Sequence, residues 1–215
     1  MEQGMDNDCI FCDRVKLAER LIAEIDNWYV VATLGQIISG YTLVIPKGHF
    51  SCMGALTSPQ PGDSTESILK ITEKVCRALS LEYQCGEPEA PYPVTMFEHG
   101  VVGQTIKHAH LHLLPMAIDL TPKILMDFPG AELEELRYAE HLQELYSKRQ
   151  EPYLFWTVPS GKSMVCWNPL APPQYLRLIT AELIGYPERG NWRNMNPELD
   201  KQMGKETVLR LKSYF

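Results

Sequence analysis

The chain has 215 residues, 45% of them hydrophobic and 22% charged, which is enough apolar material for a buried core and excludes a disordered chain of low hydrophobicity and high charge. Its 20 Lys and Arg against 27 Asp and Glu leave a net charge of -7, which excludes a broad phosphate-backbone footprint; no long nucleic acid is expected, and a nucleotide ligand would be small. The acidic start from Met1 to Asp8 lacks the basic and apolar regions of a secretory signal, and no apolar run approaches the ~18 residues of a spanning helix, so a cytoplasmic chain without a membrane partner is expected.

In chain order, segments 21–26 and 28–34 are short and apolar-rich, and 40–45 is a β-branched run closed by Pro46. Together they predict three strands in an antiparallel meander. A Pro/Gly/Ser cluster over 57–64 predicts a loop. Beyond it Ile68, Ile71, Val75, Ala78 and Leu79 recur at helical spacing, so a helix with one apolar face is predicted, ending before Cys85 and Gly86. The proline-bearing 86–93 returns the chain to the sheet. Segments 94–97 and 109–114 read as two further strands, joined by a glycine-bearing loop that holds Glu98 and His99.

Past Pro115 the pattern predicts a charged helix over 132–149, a hairpin of 153–158 and 164–167 about Ser160 and Gly161, and a helix over 173–184. The fold class is therefore α+β, an antiparallel sheet with flanking helices. Residues 1–120 form the main domain, and 121–215 a C-terminal helical and hairpin extension packed on the same core or at a dimer interface. Within the extension, residues 173–177 and 191–193 combine arginines with aromatics. That suits phosphate pairing or base stacking, but a packing arm over the sheet is the favoured reading.

Half of the six histidines crowd into five positions, His108-Ala109-His110-Leu111-His112. On a strand, alternation projects all three imidazoles from one face, neighbours about 6.6 Å apart, and turns Ala109, Leu111 and Leu113 to the core. Such a row splays too far for all three rings to reach one tetrahedral ion. It suits phosphoryl chemistry better, because a neutral imidazole is a nucleophile near pH 7 and a neighbouring ring can neutralise developing charge. The preceding loop, Gly100 to Thr105, adds glycine N–H groups, the Gln104 amide and the Thr105 hydroxyl, all partners for phosphate oxygens.

The run His108-Ala109-His110-Leu111-His112-Leu113-Leu114, its approach from Gly103 to Lys107 and the upstream Gly40 to Lys47 resemble the histidine triad (HIT) family of nucleotide hydrolases and transferases, over about residues 9 to 116. The resemblance implies a cupped antiparallel sheet, usually a homodimer, and action at the α-phosphate of a nucleotide joined to a leaving group. It implies His110 as the nucleophile that accepts the nucleotidyl group, His112 as the ring that polarises the phosphate, and Gly103, Gln104 and Thr105 as its binding loop. Water or another acceptor then resolves the adduct.

Six cysteines in a reducing compartment are not expected to pair; Cys9-x-x-Cys12 reads as metal-binding or redox-active, and Cys52, Cys76, Cys85 and Cys166 as ordinary buried thiols. With His49 and His108, Cys9 and Cys12 complete a Cys2His2 set for a structural zinc, as some histidine triad proteins carry at matching positions. A closed site of that kind would staple the N-terminus to the sheet and leave no metal-bound water for catalysis.

Two positions depart from the family pattern. Glu98 stands where an amide is common, beside the expected polyphosphate, and Thr33 stands where an acidic residue often takes the ribose hydroxyls. His99 is read as a surface loop histidine, with a further phosphate ligand as the alternative reading. The leading functional expectation is a dinucleoside polyphosphate hydrolase or phosphorylase. The alternatives are transfer or hydrolysis on a nucleotide sugar or nucleoside phosphoramidate, and a non-catalytic nucleotide-binding or scaffold protein.

Overall fold

The computed structural model describes residues 9–56, 67–85, 93–137 and 141–215. A short helix α1 (Arg14–Leu17) begins at Asp13, whose carboxylate accepts from the N–H groups of Val15 and Lys16. The predicted meander follows as β1 (Leu21–Ile25), β2 (Trp28–Ala32) and β3 (Thr42–Pro46), each antiparallel to the next. Helix α2 (Ile68–Tyr83) starts at a Ser67 cap and stops where Gln84 turns left-handed, burying Ile71, Val75, Ala78 and Leu79 as the spacing predicts. The loop expected over 57–64 lies outside the described residues, as does 86–92.

Next come β4 (Thr95–Gly100), β5 (Leu111–Leu114), α3 (Thr121–Asp127), β6 (Glu132–Leu136), α4 (His141–Arg149), β7 (Tyr153–Thr157), β8 (Ser163–Trp167), α5 (Tyr175–Leu183) and α6 (Pro197–Leu211). The eight strands among the described residues join one antiparallel sheet in the order β1-β2-β3-β5-β4-β7-β8-β6. The hairpin expected near Ser160 is β7–β8, and its β7 pairs with β4, so residues beyond 121 extend the sheet that residues 21–114 begin.

Three expectations are corrected. Residues 132–149 are not one helix: 132–136 form the edge strand β6, paired with β8, and 141–149 are helical. Glutamates favour helix in isolation, yet here Arg149 pairs with Glu132, Lys162 with Glu135 and the Trp167 indole donates to Glu134, which holds an acidic edge strand in place. Second, Glu98, His99 and Gly100 lie inside β4 rather than in a loop. Third, β5 starts at Leu111, so of the three histidines only His112 is on a strand; the Ala109 N–H donates to the Phe50 carbonyl outside the named strands.

The two faces of the sheet are covered unequally. On one, α2 and α6 pack over Val30 and Val44 and over Ala109, Leu111 and Leu113, the last three facing the core as expected. On the other, α3 and α5 cover Phe97, Leu154 and Trp156 on the β4–β7 half. The β2–β3–β5 part of that second face is flanked by the N-terminal segment, with Phe11 and Leu17 packed against Val31 and Leu43. A cavity opens between these two covers.

Candidate active site

The cavity has a volume of about 350 Å3 and is lined by His99, His110 and His112, by Gly103, Gln104 and Thr105, by Thr33, and by an apolar end that includes Phe11, Val31 and Leu43. This size suits a nucleotide-sized ligand. Cross-strand register explains the gathering: His112 lies opposite Leu43 on one side and Phe97 on the other, so all three share a face. The His110 and His112 rings are 4.9 Å apart, and the His112 ring stacks on Phe97 at 4.6 Å.

Hydrogen bonds fix how each ring presents itself. His110 Nδ1 donates to the His108 carbonyl at 2.6 Å, so its Nε2 keeps a free lone pair. Burial holds this ring down to about 4, and it is neutral at pH 7. The Tyr41 hydroxyl and His112 Nδ1 share a hydrogen bond of 2.6 Å; with the hydroxyl as donor the ring's hydrogen is on Nε2, a buried atom with no partner among the described residues. Burial also pushes His112 well below its usual range. In that tautomer the two rings carry complementary atoms, a lone pair on one and an N–H on the other.

The loop that precedes the histidine row is anchored from behind. Gln104 donates its amide to the Ser51 carbonyl, and the Gln174 N–H donates to the Gly103 carbonyl at 2.8 Å. Gly103 has φ +72, and a Cβ there would meet the Pro172 carbonyl at 2.8 Å. Thr33 donates to the Leu34 carbonyl, while Asp200 of α6 accepts from the N–H groups of Gly35 and Gln36 and pairs with Arg20, fixing that rim.

Glu98 is not brought to this cavity. Its side chain points to the opposite face, fully buried, where it accepts from the Met53 N–H at 2.7 Å and the Tyr153 hydroxyl at 2.6 Å. Burial raises its carboxyl to about 7, against the pull of those two bonds. The expectation of a carboxylate facing the phosphates is therefore withdrawn, because the alternation of β4 turns His99 to the cavity and Glu98 away. His99 is correspondingly no surface histidine: it is 2% exposed, and burial holds it down to about 3.

Sequence reasoning also undervalued Gln174, Arg177 and Trp192, which line the cavity from the extension. Tyr41 could have been found by alternation, since it lies two residues from Leu43 and so on the same face.

His108 turns away from its neighbours in the row and joins Cys9, Cys12 and His49, whose ligand atoms all lie within 4.8 Å of one another. His108 Nδ1 is 3.4 Å from Cys9 Sγ and 3.5 Å from Cys12 Sγ, and His49 Nδ1 is 3.3 Å from Cys12 Sγ. A tetrahedral ion bound by one sulfur and one nitrogen separates them by about 3.6 Å. The His108 Nε2–H donates to the Pro46 carbonyl, which frees Nδ1 as a ligand. The donor set fits a metal ion. The remaining thiols are unpaired, with Cys52 and Cys166 buried and Cys76 and Cys85 partly so.

A model of the HIT domain matches residues 15–117, and the adenosine 5'-monophosphoramidase HNT1 of Candida albicans is 27% identical over 115 residues, 53% of this chain and 73% of that protein. Residues 15–117 thus match a HIT domain, and over that stretch the chain is similar to the HIT family. The domain match contains every histidine of the cavity but neither Cys9 nor Cys12, and it stops before the extension. Solved structures with a similar course are a Hit-like protein involved in cell-cycle regulation from Bartonella henselae (23% identity, TM-score 0.39, 68% of this chain and 96% of that one) and a HIT family protein from Bacillus anthracis (23%, 0.41, 67% and 96%). No helix among the described residues is long and apolar enough to cross a membrane.

Proposed function

We propose that the chain is a nucleotide hydrolase or transferase that acts at the α-phosphate through a covalent nucleotidyl-His110 intermediate. One observation carries the reading: the His110 ring is neutral and tautomer-fixed, with Nδ1 donating to the His108 carbonyl and Nε2 left as an unshared lone pair. Nε2 attacks phosphorus, the bond to the leaving group breaks, and that group departs with its electron pair and takes up a proton. Water or a second acceptor then displaces His110. The His112 Nε2–H donates to a non-bridging oxygen as charge develops, an electrostatic contribution already oriented by Tyr41. Gly103, Gln104 and Thr105 hold the same phosphoryl group, and Thr33 the sugar side.

Dinucleoside polyphosphates are the leading substrate class; a nucleoside phosphoramidate is the second, favoured by the name of the Candida albicans relative. The metal in this reading is a structural zinc on Cys9, Cys12, His49 and His108, with the thiols kept reduced in the cytoplasm. When bound it supplies fixation rather than a reactive water, since all four positions belong to the protein. The homodimer that the resemblance implies belongs to the reading as well. Rapid-quench mass spectrometry during turnover tests the mechanism: one nucleotidyl mass on the peptide bearing His110 is expected, and fast turnover without that mass overturns it.

A further inference from the structure

Two buried groups on the far wall of the cavity have no assigned work. His99 Nε2 lies 3.0 Å from the backbone nitrogen of Leu176. A backbone N–H can only donate, so Nε2 is the acceptor and the hydrogen of the neutral ring sits on Nδ1. Nδ1 has no hydrogen-bond partner among the described residues, in a side chain that is 2% exposed and lines the cavity. Arg177, 3% exposed, is the second group. Its guanidinium donates to the carbonyls of Gly190 and Gly35, yet it makes no ion pair among the described residues. A buried permanent cation without a countercharge is costly, and the cost falls when an anion binds beside it.

Sheet order says where an anion would lie. Crossing the cavity floor, the apolar residues Val31 and Leu43 stand on β2 and β3, the reacting histidines on or before β5, and His99 on β4. The His99 and His112 rings are 5.8 Å apart, and Arg177 lies 5.1 Å over the Tyr41 ring that holds His112. A nucleoside over the apolar strands with its phosphorus at His110 thus has His99 on its other side.

We propose that His99 and Arg177 form a second anion subsite, which receives a phosphoryl group on the leaving side of the substrate. The proposal rests on the α-phosphate chemistry above and sharpens it: the subsite selects leaving groups that carry a further phosphate over uncharged amines. His99 donates from Nδ1 to a phosphoryl oxygen, and Arg177 supplies the countercharge.

The test is a calorimetric comparison of adenosine monophosphate with the non-cleavable α,β-methylene analogue of adenosine diphosphate. The parent chain is expected to bind the diphosphate analogue about tenfold tighter. His99→Gln keeps an acceptor for the Leu176 N–H but lacks the Nδ1 donor, so the affinity ratio should fall to about one while the fold survives. His99→Asn keeps a donor near Nδ1 and should keep the ratio; Arg177→Gln should lower it. A parent that binds both ligands equally, or an His99→Gln protein with an unchanged ratio, overturns the subsite. An affinity ratio without a His110 adduct keeps the subsite and loses the proposed mechanism, and an adduct with equal affinities does the reverse.

Discussion

Strand β4 sends two neighbouring titratable side chains to opposite faces of the sheet, and the surroundings treat them differently. Glu98 is fully buried with both carboxyl oxygens bonded, to Met53 and Tyr153, while His99 is just as deep but leaves one nitrogen unmatched. Across the cavity His112 repeats the second pattern with an orphaned Nε2. Native cores satisfy nearly all their buried polar atoms, so an unmatched ring nitrogen beside a cavity is a candidate to meet a ligand, whereas Ser39 Oγ and Tyr83 Oη, which do not line the cavity, are unmatched as well. Burial alone does not distinguish function from packing here; a missing partner beside the cavity does.

The largest effect should come from removing the lone pair on the open face. His110→Ala is expected to lower turnover on the order of 10^4-fold or more, with a melting temperature within a few degrees of the parent. Steady-state assays on dinucleoside polyphosphates and phosphoramidates, with calorimetry alongside, measure both quantities. Retained turnover would break the contrast, leaving a ligand pocket with no nucleophile.

Next in size is the corner that holds His108. If Cys9, Cys12, His49 and His108 bind zinc, Cys9→Ser should lose the stoichiometric metal seen by elemental analysis and melt about 10 °C lower, as expected when a site worth several kcal/mol is lost. Turnover measured well below that melting temperature should fall far less than in His110→Ala, because the metal fixes the start of the row and not the reacting ring. Parent protein that is metal-free and melts unchanged would remove the staple from this account.

Much of this arrangement was legible in the sequence because it rests on short-range signals. The meander, α2 and the β7–β8 hairpin follow from alternation, helical spacing and turn residues. The histidine row and the Cys9-x-x-Cys12 pair stand out by residue type and spacing. What escaped depends on contacts distant in sequence. β6 is acidic enough to read as helix, and only its pairing with β8 makes it a strand. His99 sits beside glycine and so reads as loop, yet it is drawn into β4 by β7, 55 residues later by the Leu154 pairing. Arg177 reads as a packing residue until the cavity beside it is known.

The closed face offers the third test. Glu98 titrates near 7 in the folded chain against an ordinary 4.5. Between those pH values the folded chain holds a proton that the unfolded chain has released, so this group's contribution makes stability fall as pH rises from about 4.5 to about 7. Glu98→Gln cannot titrate. The variant-minus-parent difference in unfolding free energy should therefore climb by roughly 3 kcal/mol across that window and then level off. Denaturant unfolding at a series of pH values reads the difference directly, and a flat profile would mean that Glu98 is not held protonated.

The smallest effect concerns the turn between the two patterns. Val101 follows β4 with φ +77, and its N–H donates to the His99 carbonyl at 2.8 Å. A β-branched residue in that region carries about 1–2 kcal/mol of strain, whereas glycine adopts it freely but loses about 0.5–1 kcal/mol through its more flexible unfolded chain. Val101→Gly should therefore gain about 0.5 kcal/mol, a rise of 1–2 °C or so in melting temperature. The same freedom loosens the approach to Gly103 and Gln104, so kcat/KM should fall about twofold even as stability rises. Opposite signs in the two measurements would show that the strained turn serves the open face. A variant that gains in both would show that the turn is strained without benefit to the site, and one less stable than the parent would show that Val101 sits there at no cost.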